Sequence, residues 1–289
     1  MAKIANLILG HRHPKQLSRL VSKITYPNST VYIHIDKKIS IEPFFKQLDN
    51  LRQVKFIINR ETVTWGAFSM VQATLNSIHE IIENEPACEF INLLSESDYP
   101  LKNTAEIDDF FNGYLGKSFM DMHFRDSFWW HEAQKKIGKY HFVNYHFRGR
   151  YLLERLVNSV TPRRKLPLGM AFTGHSQWWT LSVCHIQYIL EFVERNPKVI
   201  QFFKHTWGAD EFFFQTILFN SPHKDDIINN NLRYIEWEKG KESPNILNSK
   251  HFQALANSGK LYARKFDTEV DSEILDLIDL RLLKNNRLL

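Results

Sequence analysis

The chain has 289 residues, 43% of them hydrophobic, and a formal net charge of +5, which fits one large α/β domain with a sizeable core. The basic residues are scattered, which argues against a nucleic-acid face; a modest positive field suits an anionic substrate such as a sugar nucleotide or a lipid diphosphate. The apolar run before Gly10 and His11 is too short for a secretory or membrane-spanning segment and no later run reaches about 18 apolar residues, so a soluble, cytoplasmic protein is expected.

Short apolar runs alternate with amphipathic stretches through the first hundred residues. Ile4–Leu9 precedes Pro14–Lys23, Val31–Ile35 precedes Ile41–Leu51, Val54–Ile58 precedes Ala67–Glu83, and Phe90–Leu94 closes the series. This is a βαβαβαβ pattern, which predicts a mostly parallel sheet with helices on both faces. Pro14 suits a first helical turn, and Leu17, Leu20, Val21 and Ile24 recur at helical spacing, as do Val71, Leu75, Ile78 and Ile82. Cys88 and Cys184, the only two cysteines, each adjoin an apolar run and are expected to be buried free thiols in a reducing compartment.

Between Gly116 and Pro167 the pattern gives way to an aromatic and basic segment, read as an insertion or acceptor-side lid with one helix near Tyr151–Val160. Its stretch Phe128–Arg150 is expected to meet a membrane surface or a charged acceptor. Strand and helix signals return with Trp178–Ser182, Ile186–Glu194, Asp210–Phe219, Leu232–Trp237, Leu261–Phe266 and Ile274–Leu283. The expected organisation is a single domain over 1–289: a nucleotide-binding half at 1–115, the insertion at 116–167, and a catalytic and acceptor half at 168–289.

In an open α/β sheet the ligand lies beyond the carboxyl ends of the strands. Those ends carry Gly10-His11, His34-Ile35-Asp36 and Ser95-Glu96-Ser97-Asp98. A Walker loop and a Gly-x-Gly-x-x-Gly after the first strand are missing from the sequence, which removes the main support for ATPase, kinase and dinucleotide readings; the missing Gly-x-Ser-x-Gly weakens a serine-hydrolase reading, and the histidines show no metal spacing such as His-Glu-x-x-His. No Asp-x-Asp pair occurs either. A diphosphate leaving group would then have to be neutralised by fixed cations, for which Arg264 and Lys265 are candidates, unless they are simply exposed strand-end charges. Asp210 and Glu211 follow Trp207-Gly208 and precede an apolar helix, where an acid serves as a cap; Glu211 can also act as a general base at an aromatic-lined site. Trp65, Trp178, Trp179 and Trp237 offer faces for stacking on a sugar or base, or for ordinary packing.

In order, several stretches resemble the core-2/I-branching N-acetylglucosaminyltransferase and xylosyltransferase family, glycosyltransferase family 14. The resemblance runs from Ile4–His11 through Tyr32–Lys38, Val63–Gly66 and Leu94–Leu101, then Gly174–Ser182, Ala209–Phe213 and Leu232–Trp237, to Tyr262–Asp267. It implies a GT-A-like fold and an inverting, metal-independent transfer from a UDP-sugar, with no cofactor, to a glycan or glycolipid acceptor. Glu211 falls on the family's catalytic base, and Lys265 with Arg264 on its diphosphate contacts. His11 and Asp36 fall where the nucleotide is held. Asp98 lies near the donor sugar and Trp178 and Trp237 near the acceptor side, with Trp65 and Ser95 expected to contact the donor or acceptor sugar.

Animal members of the family have an N-terminal membrane anchor and several disulfides, so this chain resembles a bacterial, cytoplasmic member, free or peripheral at the inner face of the membrane, expected to serve surface-polysaccharide synthesis. They also use a second arginine upstream of the basic pair; here that stretch reads Glu242-Ser243-Pro244-Asn245, leaving Arg264 to compensate. N-acetylglucosamine is the first donor expected, with xylose, glucose or glucuronate as alternatives. The rival readings are a glycoside hydrolase with a carboxylate pair and a carbohydrate-binding module whose tryptophans only stack on glycan.

Overall fold

A computed structural model describes residues 1–48, 51, 53–123, 127–238, 240–241 and 243–284, the side chain of Phe128 excepted. The alternating apolar runs of the first half form β1 (Ile4–Gly10), α1 (Pro14–Ile24), β2 (Ser29–Ile35), α2 (Glu42–Leu48), β3 (Val54–Phe56), α3 (Ser69–Asn84) and β4 (Phe90–Ser95). Successive strand side chains point to opposite faces, and here both faces are apolar. In β1, Leu7 and Leu9 enter one core with Ile91 and Leu93 of β4, while Ile4 and Ile8 enter the other with Phe90 and Leu94. Helices cover both sides, so each fully buried Leu or Ile contributes roughly 1.5–3 kcal/mol relative to exposure.

The chain continues through β5 (Asp98–Pro100), α4 (Thr104–Asn112), β6 (Ser118–His123), α5 (Phe128–Gly138), α6 (Arg150–Val160), β7 (Gly174–Ser182), α7 (Val183–Arg195) and α8 (Pro197–Lys204). It ends with α9 (Phe213–Phe219), β8 (Ile227–Asn229), β9 (Arg233–Ile235), α10 (Phe252–Asn257), β10 (Tyr262–Arg264) and α11 (Glu273–Arg281). The main sheet has the order β3-β2-β1-β4-β7-β6-β8, and a small second sheet has the order β5-β10-β9. In the main sheet β7 alone runs against its neighbours, pairing antiparallel with β4 and β6, and the other contacts are parallel. The carboxyl ends of β1, β2, β4 and β6 therefore meet the start of β7 at one edge of the sheet.

Two expectations change. The segment from Gly116 does not leave the fold at once: Ser118–His123 is a strand paired with β7 and β8, and its alternating Phe119, Met120 and Met122 are buried. Trp130 of α5 is also buried, stacked on Phe172 at 3.8 Å, so the aromatic stretch is partly core. Both cysteines are free as expected, but Cys184 is exposed at the start of α7. Cys88 is buried, and loss of solvent pushes its thiol up to about 12. No helix among the described residues is long and apolar enough to cross a membrane.

Candidate active site

At the meeting edge lies a cavity of about 900 Å³, walled in part by His11, Asp36, Ser95, Glu211 and Lys265. Trp65, Trp178, Trp237 and Arg264 also line it. Asp98 does not. It is fully buried behind the wall, where its Oδ2 accepts from the Ser95 backbone N–H (2.6 Å) and hydroxyl (2.5 Å) and its Oδ1 faces Arg264 Nε at 3.9 Å. Asp98 thus shapes the turn after β4 and supplies a counter-charge to Arg264, with Ser95 between it and the cavity.

The nucleotide-side candidates are tied to loops. Asp36 is buried, and its Oδ1 accepts from the backbone N–H of Lys38 (3.0 Å) and Val63 (3.4 Å), joining the turn after β2 to the loop that presents Trp65. His34 supports the same loop: its Nε2 accepts from the Glu61 backbone N–H at 2.9 Å, and burial pulls the ring down to about 4, so it is a neutral acceptor near neutral pH. His11 is more open. Its Nδ1 lies 2.9 Å from Glu96 Oε1, and this hydrogen bond raises its pKa above the ordinary value.

Cations gather on one wall. The Arg264 guanidinium carbon lies over the Trp178 ring, 4.0 Å from its centre. Burial and then repulsion by Arg12 and Arg264 hold the Lys265 pKa below its ordinary value. Arg12, whose guanidinium is 3.7 Å from Asp267, was not singled out by sequence spacing, yet it lines the same cavity. Three like charges sharing a wall are an arrangement that an anion would relieve. Of the upstream stretch Glu242–Asn245, Glu242 lies outside the described residues, and Ser243 and Pro244 line the cavity without adding charge.

Glu211 sits in a 3-10 turn, Ala209–Glu211, entered through Gly208 at φ +67°. The turn presses against the start of β7 so closely that a Cβ on Gly174 would overlap the Glu211 carbonyl oxygen, so glycine is required there for steric reasons. Glu211 Oε2 lies 2.8 Å from Lys136 Nζ of α5, and that ammonium also stands 4.4 Å over the Trp207 ring. Among the described residues Oε1 has no protein partner and remains for a ligand. Asp210 is no simple cap: among the described residues its Oδ1 is sealed from solvent without a partner, and burial followed by the neighbouring Glu211 charge raises its carboxyl to about 7.

The indoles differ in what they offer. Trp65 is mostly exposed at the rim, edge-on to Trp207 with ring centres 5.2 Å apart, and Trp237 is exposed after β9. Trp178 is buried beneath Arg264, so its cavity face is partly taken. Arg233, a further lining residue, is buried under the floor, where its guanidinium donates to Asn92 Oδ1 (2.5 Å) and the Leu93 carbonyl (2.8 Å). Burial lowers it to about 10.

Asp121, His123 and His175 place metal-type ligand atoms within 4.8 Å of one another, with His175 Nδ1 2.7 Å from Asp121 Oδ2. Burial opposes ionisation of Asp121, but the hydrogen bond and charge of His175 outweigh it and hold the carboxyl below its usual range. The two imidazoles are stacked at 3.9 Å and 3°. A metal about 2.0–2.1 Å from both nitrogens cannot lie in two parallel ring planes, so this arrangement does not suit two-histidine ligation. Asp121 and His175 instead add a polar wall to the cavity, and the alternation Phe-Met-Asp-Met-His over 119–123 is the sequence signal that aims Asp121 and His123 to one side.

The fold is a mixed α/β sheet with its cavity at the carboxyl ends of the parallel strands. The chain belongs to the Core-2/I-branching enzyme family, whose model matches residues 4–256. It is 28% identical over 314 residues to Xylosyltransferase 1 of Rattus norvegicus, covering 98% of this chain and 36% of that protein. It is 27% identical to Xylosyltransferase 2 of Canis lupus familiaris, covering 97% of this chain and 34% of that one. The chain thus spans about a third of the length of these relatives. A crystal structure of mouse xyloside xylosyltransferase 1 in its apo form aligns with 91% of this chain and 96% of its own at 14% identity, with a TM-score of 0.42.

Proposed function

We propose that the chain is an inverting, metal-independent transferase that moves a sugar from a UDP-sugar to a hydroxyl of a glycan or glycolipid acceptor, in surface-polysaccharide synthesis. The observation that carries this reading is the single cavity lined both by Glu211 and by the Arg12, Arg264 and Lys265 cations. In the reaction the acceptor hydroxyl gives its proton to Glu211 Oε1 while its oxygen attacks the anomeric carbon. UDP leaves from the opposite face, and the cations offset the charge developing on the diphosphate. Lys136 fixes the other carboxylate oxygen, which holds Oε1 toward the acceptor. Asp36 and His34 position the nucleotide loops, and Trp65 and Trp237 supply apolar faces for sugar rings.

N-acetylglucosamine is the first donor proposed, and the names of the two relatives put xylose beside it. A screen of UDP-sugars for donor hydrolysis and thermal stabilisation tests both class and donor. One UDP-sugar should stabilise the protein and be turned over. Absence of any nucleotide effect, with binding to free glycan instead, would point to a carbohydrate-binding module; release of sugar from an oligosaccharide without a nucleotide would point to a hydrolase.

A further inference from the structure

Helix α6 is amphipathic, but its polar face points inward. Glu154 accepts from the Phe142 backbone N–H (3.0 Å) and pairs with His141 (3.2 Å), and Asn158 exchanges two hydrogen bonds of 2.8 Å with the backbone of Tyr140. Leu152, Leu153, Leu156 and Val160, at about 100° per residue, form one stripe opposite these groups. That stripe faces solvent: Leu152 is 73% exposed, Leu156 58% and Val160 74%, and no residue of the helix is buried. Phe147 before the helix and Leu168 after it in the chain are exposed as well. A contiguous apolar surface of this kind marks an interaction site.

The surroundings indicate its occupant. Arg148, Arg155, Arg163 and Lys165 are exposed around the stripe, while the single acid between residues 145 and 168, Glu154, is turned inward and paired. An apolar stripe with a basic rim complements anionic headgroups above acyl chains. A symmetric second copy would instead bring these rims against each other. We infer that α6 and its flanks form a membrane-docking surface that lies in the headgroup region of an anionic bilayer. The stretch anticipated from sequence, Phe128–Arg150, is thereby shifted: its Trp130 is core, and the contact surface centres on Phe147–Leu168.

The surface adjoins the cavity, because His146 lies 3.2 Å from the Thr64 hydroxyl, next to Trp65 on the rim. Docking would hold the mouth at the lipid surface, where a lipid-linked acceptor hydroxyl enters; this step rests on the proposed transfer, whereas docking itself does not. The test is co-sedimentation of the full chain with vesicles of phosphatidylglycerol and phosphatidylcholine against phosphatidylcholine alone. The wild type should bind the anionic vesicles and be released by salt. Leu152→Ser/Leu156→Ser should bind at least about tenfold more weakly, and Arg148→Glu/Arg163→Glu should lose the preference for phosphatidylglycerol, with both variants keeping the wild-type circular dichroism, thermal unfolding and donor turnover in vesicle-free buffer. Failure of the wild type to bind either vesicle at low salt would overturn the inference. So would a wild-type dimer that the leucine variant converts to monomer. Vesicle binding without donor turnover would support the docking surface while overturning the transferase reading.

Discussion

Asp210→Asn tests the electrostatics of the turn that carries Glu211. The Asp210 carboxyl rises from an ordinary value of 3.8 to about 7, chiefly because burial disfavours its charge and secondarily because Glu211 is adjacent. Below pH 4 the group is protonated in both folded and unfolded chains and costs nothing. Between pH 4 and 7 the unfolded chain ionises it while the folded one keeps the proton, so the stability it supports is lost as pH rises and is gone above about 7. A shift of that size at about 1.36 kcal/mol per unit sets an upper bound near 4 kcal/mol, and because Asp210 lines the solvent-filled cavity the expected loss is on the order of 1–2 kcal/mol. Asparagine is neutral and nearly isosteric, so the variant should match the wild type near pH 4 and exceed it at pH 8 by that amount in urea unfolding followed by tryptophan fluorescence. Parallel stability–pH curves for the two proteins would refute a buried, proton-holding Asp210.

Lys265→Ala should weaken UDP binding by roughly 10–100-fold, the loss of one hydrogen bond to a charged group of about 1.5–3 kcal/mol; calorimetry giving unchanged affinity would remove its diphosphate role. Turnover should persist in EDTA because cations of the chain line the same cavity as the base, and strict dependence on added Mn²⁺ or Mg²⁺ would contradict that mechanism.

The first half of the fold was legible because its strands are buried on both faces and alternate with helices of clear period, as β1, β2 and β4 show. Strand β6 is hard to read because Asp121, which lines the cavity, and His123 interrupt its apolar run, and α4 announces itself only by the capping box from Asn103 to Glu106. The strand-end residues His11, Asp36 and Ser95 could be placed by the general geometry of parallel sheets. Lys136 could not, since its ion pair with Glu211 spans 75 residues and no local pattern encodes such a contact. The family resemblance puts Asp98 near the donor sugar, whereas its hydrogen bonds to Ser95 hold it as a buried acid behind the cavity wall. Arg233 likewise reads as an ordinary strand residue until Asn92 and the Leu93 carbonyl are found beneath it.

The role of Glu211 is tested most directly by Glu211→Gln, assayed for transfer with the donor found by screening and for UDP affinity and thermal unfolding in parallel. Glutamine keeps the size of the side chain and a carbonyl oxygen for Lys136 but cannot take a proton from the acceptor. The account predicts wild-type unfolding, wild-type UDP affinity and transfer reduced by about 10²–10⁴-fold. Transfer at the wild-type rate would contradict it.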